Sequence, residues 1–156
     1  MNPQMPIRTG AESDVTVINT VIEAAVMSWP LADRVKRLSL PLLKYDELDV
    51  AHMSFLLCES EGAVVGIAAW DGEGQEAQLH GLYVHPMHQH RGAGRLLLNR
   101  VKADAVAEGY SSLWVKAERV ATHFFDKAGF KLLPQRQESD YPYRYWIGLD
   151  SALKLA

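Results

Sequence analysis

Between Leu79 and Arg95 the chain reads Leu79-His80-Gly81-Leu82-Tyr83-Val84-His85-Pro86-Met87-His88-Gln89-His90-Arg91-Gly92-Ala93-Gly94-Arg95, residue types that suit the capture of an anion. Gly92 and Gly94, one residue apart, let the backbone bend sharply and let a ligand come close where a Cβ would otherwise stand. A helix starting at this point offers unpaired N–H groups and the positive end of its dipole, a seat that fits a pyrophosphate. The surrounding charge agrees. No acidic side chain lies between Glu76 and Asp104, whereas Arg91, Arg95, Arg100 and Lys102 gather there with His80, His85, His88 and His90. This is a basic island in a chain whose 16 Lys and Arg against 19 Asp and Glu leave a net charge of −3.

The plainer alternative is that the two glycines only shape a strand-to-helix turn and that the arginines form a solvated helix face. Two other anion motifs fail. The dinucleotide pattern G-x-G-x-x-G needs a third glycine where Leu97 stands, and G-x-x-x-x-G-K-[ST] does not occur. His85, His88 and His90 crowd one loop without a thiolate or carboxylate partner, so no metal site is expected. Cys58 follows Phe55, Leu56 and Leu57 in an apolar run, which reads as a buried structural thiol and not as a nucleophile.

The elements that would position this loop follow from periodicity. Pro6 to Thr9 suits a short strand. Ser13 or Asp14 can cap a helix carrying Ile18, Val21, Ile22 and Ala25 at helical spacing, ended by Trp29-Pro30. From Asp33, Val35, Leu38 and Leu42 repeat weakly, but Pro41 interrupts them and predicts an irregular region. Met53 to Glu59 and Ala63 to Trp70 read as strands joined by a hairpin turn at Glu61-Gly62. A second turn, Asp71-Gly72-Glu73-Gly74, leads into a strand from Ala77 to Val84, closed by His85-Pro86. Gly92 to Glu108 shows a helical stripe of Leu97, Leu98, Val101 and Ala105 and stops at Gly109. A strand from Ser112 to Ala117, a helix with Ala121, Phe124, Phe125 and Ala128 on one stripe, and strands over Phe130 to Leu133 and Arg144 to Leu149 complete the chain. This order predicts an α/β (α+β) fold around one central sheet.

With 156 residues, 48% hydrophobic and 22% charged, the chain fits one domain over residues 1–156 that needs no disulfide or metal staple. Its single cysteine suits a reducing compartment, which predicts a cytoplasmic protein. The longest apolar run, Ala63 to Trp70, is far short of a membrane span, and no signal-peptide pattern opens the chain. The acidic balance gives no general attraction to nucleic acid.

Gln89-His90-Arg91-Gly92-Ala93-Gly94 resembles the Q/R-x-x-G-x-G/A acetyl-coenzyme A loop of the GNAT N-acyltransferase superfamily. Leu82-Tyr83-Val84-His85-Pro86 resembles that family's splayed fourth strand, and Ala121 to Phe130 resembles its A-x-x-x-Y-x-K-x-G-F motif. The resemblance spans the element order from Pro6 to Leu149. It implies a single mixed sheet of six to seven strands, splayed at the fourth and flanked by about four helices. It implies an N-acetyltransferase that uses acetyl-coenzyme A as co-substrate, the acceptor being a primary amine of a small molecule or peptide. The cofactor's pantetheine arm would pair with the backbone of Leu82, Tyr83 and Val84. Its pyrophosphate would meet the N–H groups of Arg91, Gly92, Ala93, Gly94 and Arg95, with Gln89 and His90 shaping the loop.

The implied reaction is direct attack of the amine on the thioester, and an ammonium must first lose a proton. Glu76, Gln78 and His80 project from one strand face by the period of two, and relatives often carry a glutamate on this face. Here Gln78 takes the closest matching position, so Glu76 through water, or His80 directly, is expected to act as base. His80 bonded within the sheet is the structural alternative. The tyrosine that many relatives use toward the leaving thiolate is replaced by Phe125. Either solvent protonates the leaving thiolate, or Tyr143 is the expected substitute, with Tyr83 and Tyr145 as alternatives. Glu118 stands where relatives often have asparagine; Glu118 and Phe125 are both expected beside the cofactor. The acceptor is expected against the early helices and the last hairpin, near Trp29, Tyr45, Asp46, Glu47, Asp49, Glu138, Asp140, Tyr141, Tyr143 and Tyr145, where acidic and aromatic groups suit a cationic amine. A competing reading is a non-catalytic module that binds or senses acetyl-coenzyme A. Exposed strand edges leave room for a homodimer.

Overall fold

A computed structural model describes residues 5–134 and 143–149. The elements in chain order are β1 (Ile7–Thr9), α1 (Val15–Met27), α2 (Asp33–Leu43), α3 (Glu47–His52), β2 (Ser54–Ser60), β3 (Ala63–Glu73), β4 (Glu76–Val84), α4 (Ala93–Ala107), β5 (Ser112–Ala117), α5 (Thr122–Lys127), β6 (Lys131–Leu132) and β7 (Tyr143–Gly148). Single 3₁₀ turns lie at Glu12–Asp14, Pro86–His88 and Arg119–Ala121. The strands form one mixed sheet in the order β1-β2-β3-β4-β5-β7-β6, so the expected α/β class and strand number hold.

The described residues fall into two compact units, one formed by those up to Trp70 together with Gly81–Val101, the other by Asp71–His80 together with the described residues after Val101. In the first unit β1 and β2 pair antiparallel, Ile7 with Cys58 and Thr9 with Leu56. β2 and β3 pair antiparallel from Ser54–Trp70 to Ser60–Ala63, with an irregularity between Cys58 and Glu59. Their hairpin turns through Glu61 (φ 52°) and Gly62 (φ 81°), the two left-handed residues that match strand twist in a tight turn. The α1 stripe foreseen from spacing is buried: Ile18, Val21, Ile22 and Ala25 pack with Phe55, Leu57, Ile67, Ala69 and Tyr83. Arg8 clamps the entry to α1 with a bidentate pair to Asp14, 2.9 and 3.0 Å.

The irregular region expected at Pro41 is instead helical. Pro41 falls in the last turn of α2, two residues from its end, so the one lost N–H bond interrupts little, and Lys44 N still reaches Leu40 O at 3.0 Å. Lys36 secures this helix. Only 7% exposed, its ammonium donates to Met27 O (2.9 Å) and Trp29 O (3.2 Å) at the C-terminal end of α1 and pairs with Asp33 at 3.3 Å. A cation there offsets the negative end of the helix dipole and satisfies terminal carbonyls. The short α3, absent from the periodicity reading, is opened by a reciprocal cap: Asp46 Oδ1 accepts from Asp49 N (2.9 Å) and Asp49 Oδ2 from Asp46 N (2.8 Å).

In the second unit Glu76–Leu79 of β4 pairs parallel with Ser112–Val115 of β5, which pairs antiparallel with β7 from Ser112–Gly148 to Ala117–Tyr143. β6 adds two residues to β7, shorter than the strand expected over Phe130 to Leu133, and Leu149 lies past the end of β7. The turn expected at Asp71 to Gly74 is also shorter. β3 continues through Asp71, Gly72 and Glu73, and only Gly74 and Gln75 turn the chain. At Gly72 the Tyr110 ring lies close over the backbone, where an added Cβ would meet its Cζ. Among the described residues no helix is long and apolar enough to cross a membrane.

Candidate functional site

The anion loop is built within the first unit. β4 ends at Val84, and His85 N donates to Val65 O at 2.7 Å. The 3₁₀ turn that follows is capped by His85, whose Nδ1 accepts from Met87 N at 3.2 Å. Thus His85 has a structural task that a metal would compete with. The backbone then passes through two left-handed residues, His90 (φ 65°) and Gly92 (φ 89°). Such residues close together curl the chain and turn N–H groups into a concavity. The first helical bond of α4 runs from Leu96 N to Gly92 O at 2.9 Å. The N–H groups of Ala93, Gly94 and Arg95 therefore precede any carbonyl they could reach inside the helix.

Among the described residues, no atom beyond its two chain neighbours lies within 4 Å of where a Cβ at Gly92 would stand, so the space over the turn is open on their side. Ala93, Leu97, Leu98 and Val101 are buried beneath it and fix the helix axis, while Arg91 and Arg95 are exposed. Of the residues expected to meet a pantetheine arm, Leu82 and Val84 are half-buried, and the Tyr83 ring belongs to the core. Val84 O already accepts a bond from Gln89 Nε2 at 3.3 Å, so Gln89 ties the loop back to β4. The loop can hold a pyrophosphate: bare N–H groups, a helix N-terminus, flanking guanidinium groups and open space coincide.

A second feature is assembled in the other unit. Along β4 Ala77 and Leu79 are buried, while Glu76, Gln78 and His80 turn the other way. They line an open concavity of about 520 Å³ with Asp71, Gly72, Glu73 and Trp114. Three carboxylates, a histidine and an indole in one hollow suit a cation. His80 Nε2 lies 2.6 Å from Asp71 Oδ1, so the imidazole is hydrogen-bonded to a neighbouring strand, and it also lines the hollow. The sequence reading missed Asp71, Glu73 and Trp114. Asp71 and Glu73 continue the period of two past Trp70, and Trp114 is the register partner of Gln78; those two signals could have found them.

Tyr143 stands elsewhere in this unit, its hydroxyl accepting from Arg119 Nη2 at 3.1 Å. Among the described residues the phenolic proton has no acceptor. Phe125 is 3% exposed and packed in an aromatic cluster, 5.2 Å from both Phe124 and Phe130 and stacked 6.0 Å from Tyr145. Burial, with Asp126 beside it, pushes the Tyr145 phenol above its ordinary value, which makes it a poor proton donor. Glu118 is half-buried, and desolvation raises its carboxyl above the usual range. Burial likewise raises the Cys58 thiol, so the nucleophilic thiolate is suppressed.

The structure gives the other acceptor candidates different work. Tyr45 packs edge-on against Phe55, 5.0 Å between ring centres, while its backbone bonds Asn19, and burial pushes its phenol well above the ordinary value. Asp46 and Asp49 cap α3, and Trp29 packs on the first core. Glu138, Asp140 and Tyr141 lie outside the described residues.

Residues 18–130 match the Acetyltransferase (GNAT) family, and the chain belongs to that family. An amino-acid acetyltransferase of Shewanella oneidensis is 32% identical over 109 residues, 64% of this chain and 24% of the relative. One from Pseudomonas fluorescens is 33% identical over 97 residues, 58% of this chain and 22% of the relative. The chain thus spans about a quarter of the length of these curated relatives. Among solved structures, the PaiA N-acetyltransferase of Thermoplasma acidophilum in complex with coenzyme A superposes with TM-score 0.80 at 15% identity, covering 94% of this chain and 99% of that one. The N-acetylglutamate synthase of Neisseria gonorrhoeae, complexed with coenzyme A and N-acetyl-glutamate, gives TM-score 0.72 at 20% identity, covering 96% of this chain and 36% of that one. At these identities the superpositions establish the fold.

Proposed function

We propose that this chain transfers an acetyl group from acetyl-coenzyme A to a primary amine of a small molecule or peptide by direct attack. The observation that carries the reading is the turn at His90–Gly92 feeding the N-terminus of α4, in a chain of the Acetyltransferase (GNAT) family. The pyrophosphate takes the N–H groups of Arg91, Gly92, Ala93, Gly94 and Arg95, and the backbone of Leu82, Tyr83 and Val84 receives the pantetheine arm. Gln89 and His90 hold the loop's shape, and Glu118 and Phe125 flank the cofactor. The amine enters the concavity of Asp71, Glu73, Glu76 and Trp114, where the carboxylates favour its cationic form and the indole face accepts it. His80 removes the ammonium proton, Glu76 assists through water, and Tyr143 supplies a proton toward the leaving sulfur.

Amino-acid acetyltransferase relatives support a small-molecule acceptor. The acidic hollow favours amines without extra carboxylates. Phe125, which has no hydroxyl, favours a second reading, a module that binds the cofactor without turnover. A thermal-shift panel followed by an amine screen separates the readings. Acetyl-coenzyme A should raise the melting temperature where ATP does not, and thiol release on adding an amine supports transfer. Stabilisation without thiol release from any amine supports the binding module, and equal stabilisation by ATP overturns both.

A further inference from the structure

Resting on the acetyl-transfer reading, we infer that Asp71 is a positioning residue that fixes the tautomer and orientation of His80 so that His80 Nδ1 accepts the proton of the incoming ammonium. Nε2 of His80 lies 2.6 Å from Asp71 Oδ1. An ionised carboxylate can only accept, so the proton between them belongs to Nε2 and the lone pair is left on Nδ1. Nδ1 has no hydrogen-bond partner among the described residues. Both residues line the concavity that also holds Glu73, Glu76, Gln78 and Trp114.

The backbone makes the pair possible. β3 runs three residues past Trp70, and the turn at Gly74 and Gln75 returns the chain so that a carboxylate at the end of β3 meets an imidazole on β4. Gly72 is held under the Tyr110 ring, which pins the residue next to Asp71. The Asp71 side chain is 45% exposed and that of His80 28%, so the pair contributes little to stability. Its geometry matters for where the imidazole lone pair points.

The ammonium gives one proton to His80 Nδ1 and becomes a free amine; its lone pair forms the N–C bond to the thioester carbonyl of acetyl-coenzyme A. When the C–S bond breaks, the bonding pair leaves with sulfur, which takes the phenolic proton of Tyr143, and the second N–H proton, acidic in the tetrahedral adduct, restores that phenol. The imidazolium returns its proton to solvent.

The test compares wild type, Asp71→Asn, Asp71→Glu, His80→Gln and the double variant Asp71→Asn/His80→Gln, with acetyl-coenzyme A and the best amine of the screen. A positioned base contributes about 10²–10⁴-fold. Asp71→Asn should therefore lower kcat about 10- to 100-fold with the KM for acetyl-coenzyme A unchanged, and Asp71→Glu should recover part of the loss. The double variant should be no slower than His80→Gln, since the two residues act as one unit. In parallel, ¹⁵N-edited spectra of the His80 ring in the full chain should show Nε2 protonated in wild type and a tautomer mixture in Asp71→Asn. Full kcat in Asp71→Asn, an additive double variant, or a wild-type ring protonated on Nδ1 overturns the inference and leaves acetyl transfer standing. A wild type that acetylates no amine overturns the underlying reading as well, and the ring spectra still decide whether Asp71 sets the tautomer.

Discussion

Gly92 is the position where the cofactor seat can be challenged with least damage to the fold. Its φ is 89° and, among the described residues, no atom beyond its chain neighbours lies within 4 Å of a Cβ placed there. Asp and Asn tolerate left-handed backbone better than other side chains and have nearly the same volume. Gly92→Asn therefore tests the added bulk, and Gly92→Asp adds one negative charge to the same bulk. A carboxylate about 5 Å from one phosphate charge costs ~1 kcal/mol at a dielectric near that of water and ~3 kcal/mol at an effective value of about 20. The Asp variant should thus bind coenzyme A about 5- to 150-fold more weakly than the Asn variant. Rising salt should shrink that ratio. Gly62→Asp is the control. It adds the same residue at φ 81° in equally open space, but in the β2–β3 turn, so it should leave the affinity unchanged. Calorimetric titration at low and high ionic strength, with urea unfolding of each variant, gives all the numbers. Equal affinities for the Asp and Asn variants at low salt would refute the pyrophosphate seat.

Lys36→Met should lower unfolding free energy by about 1–3 kcal/mol in urea titration, because it leaves the Met27 and Trp29 carbonyls without their buried donor; unchanged stability would show that water replaces the ammonium. Gly72→Ala would put a methyl group 2.1 Å from the Tyr110 ring, and the displaced ring should cost about 1–3 kcal/mol in the same assay and separate Asp71 from His80 in the ring spectra. Asp14→Asn probes the Arg8 clamp. The Arg8 guanidinium holds the Asp14 carboxyl below its usual 3.8, so the ionised form contributes stability that is fully present above that value and fades as pH falls through the lowered one. The wild type should melt higher than Asp14→Asn at neutral pH, and the gap should close in acid; a gap that persists in acid would contradict the pairing.

Periodicity located most of the scaffold because the elements around the loop bury one clean stripe each. The α4 positions Leu97, Leu98, Val101 and Ala105 and the α1 positions Ile18, Val21, Ile22 and Ala25 are all 3% exposed or less. Pro41 misled because a sequence shows the missing N–H but not how near the helix is to its end. Two long-range contacts set what the local pattern could not. β3 runs on through Asp71, Gly72 and Glu73 with the Tyr110 ring over Gly72, and the ammonium of Lys36 ties α2 to the end of α1. The glycine turn proposed to seat the cofactor was legible as a strand-to-helix bend because its signal is local, two glycines and a helix start within a few residues. The hollow proposed for the acceptor was not, since Asp71, His80 and Trp114 meet only through strand pairing, and the aromatic and acidic residues near Tyr45 are occupied by packing and capping.

Acetyl transfer itself is tested most directly by following free thiol and acetylated product together when the full chain is mixed with acetyl-coenzyme A and a series of small amines and diamines. One thiol released for each amide formed, dependent on His80 and lost in Gly92→Asp at limiting cofactor, is the predicted result. Saturable binding of acetyl-coenzyme A with neither thiol nor amide from any amine would contradict it.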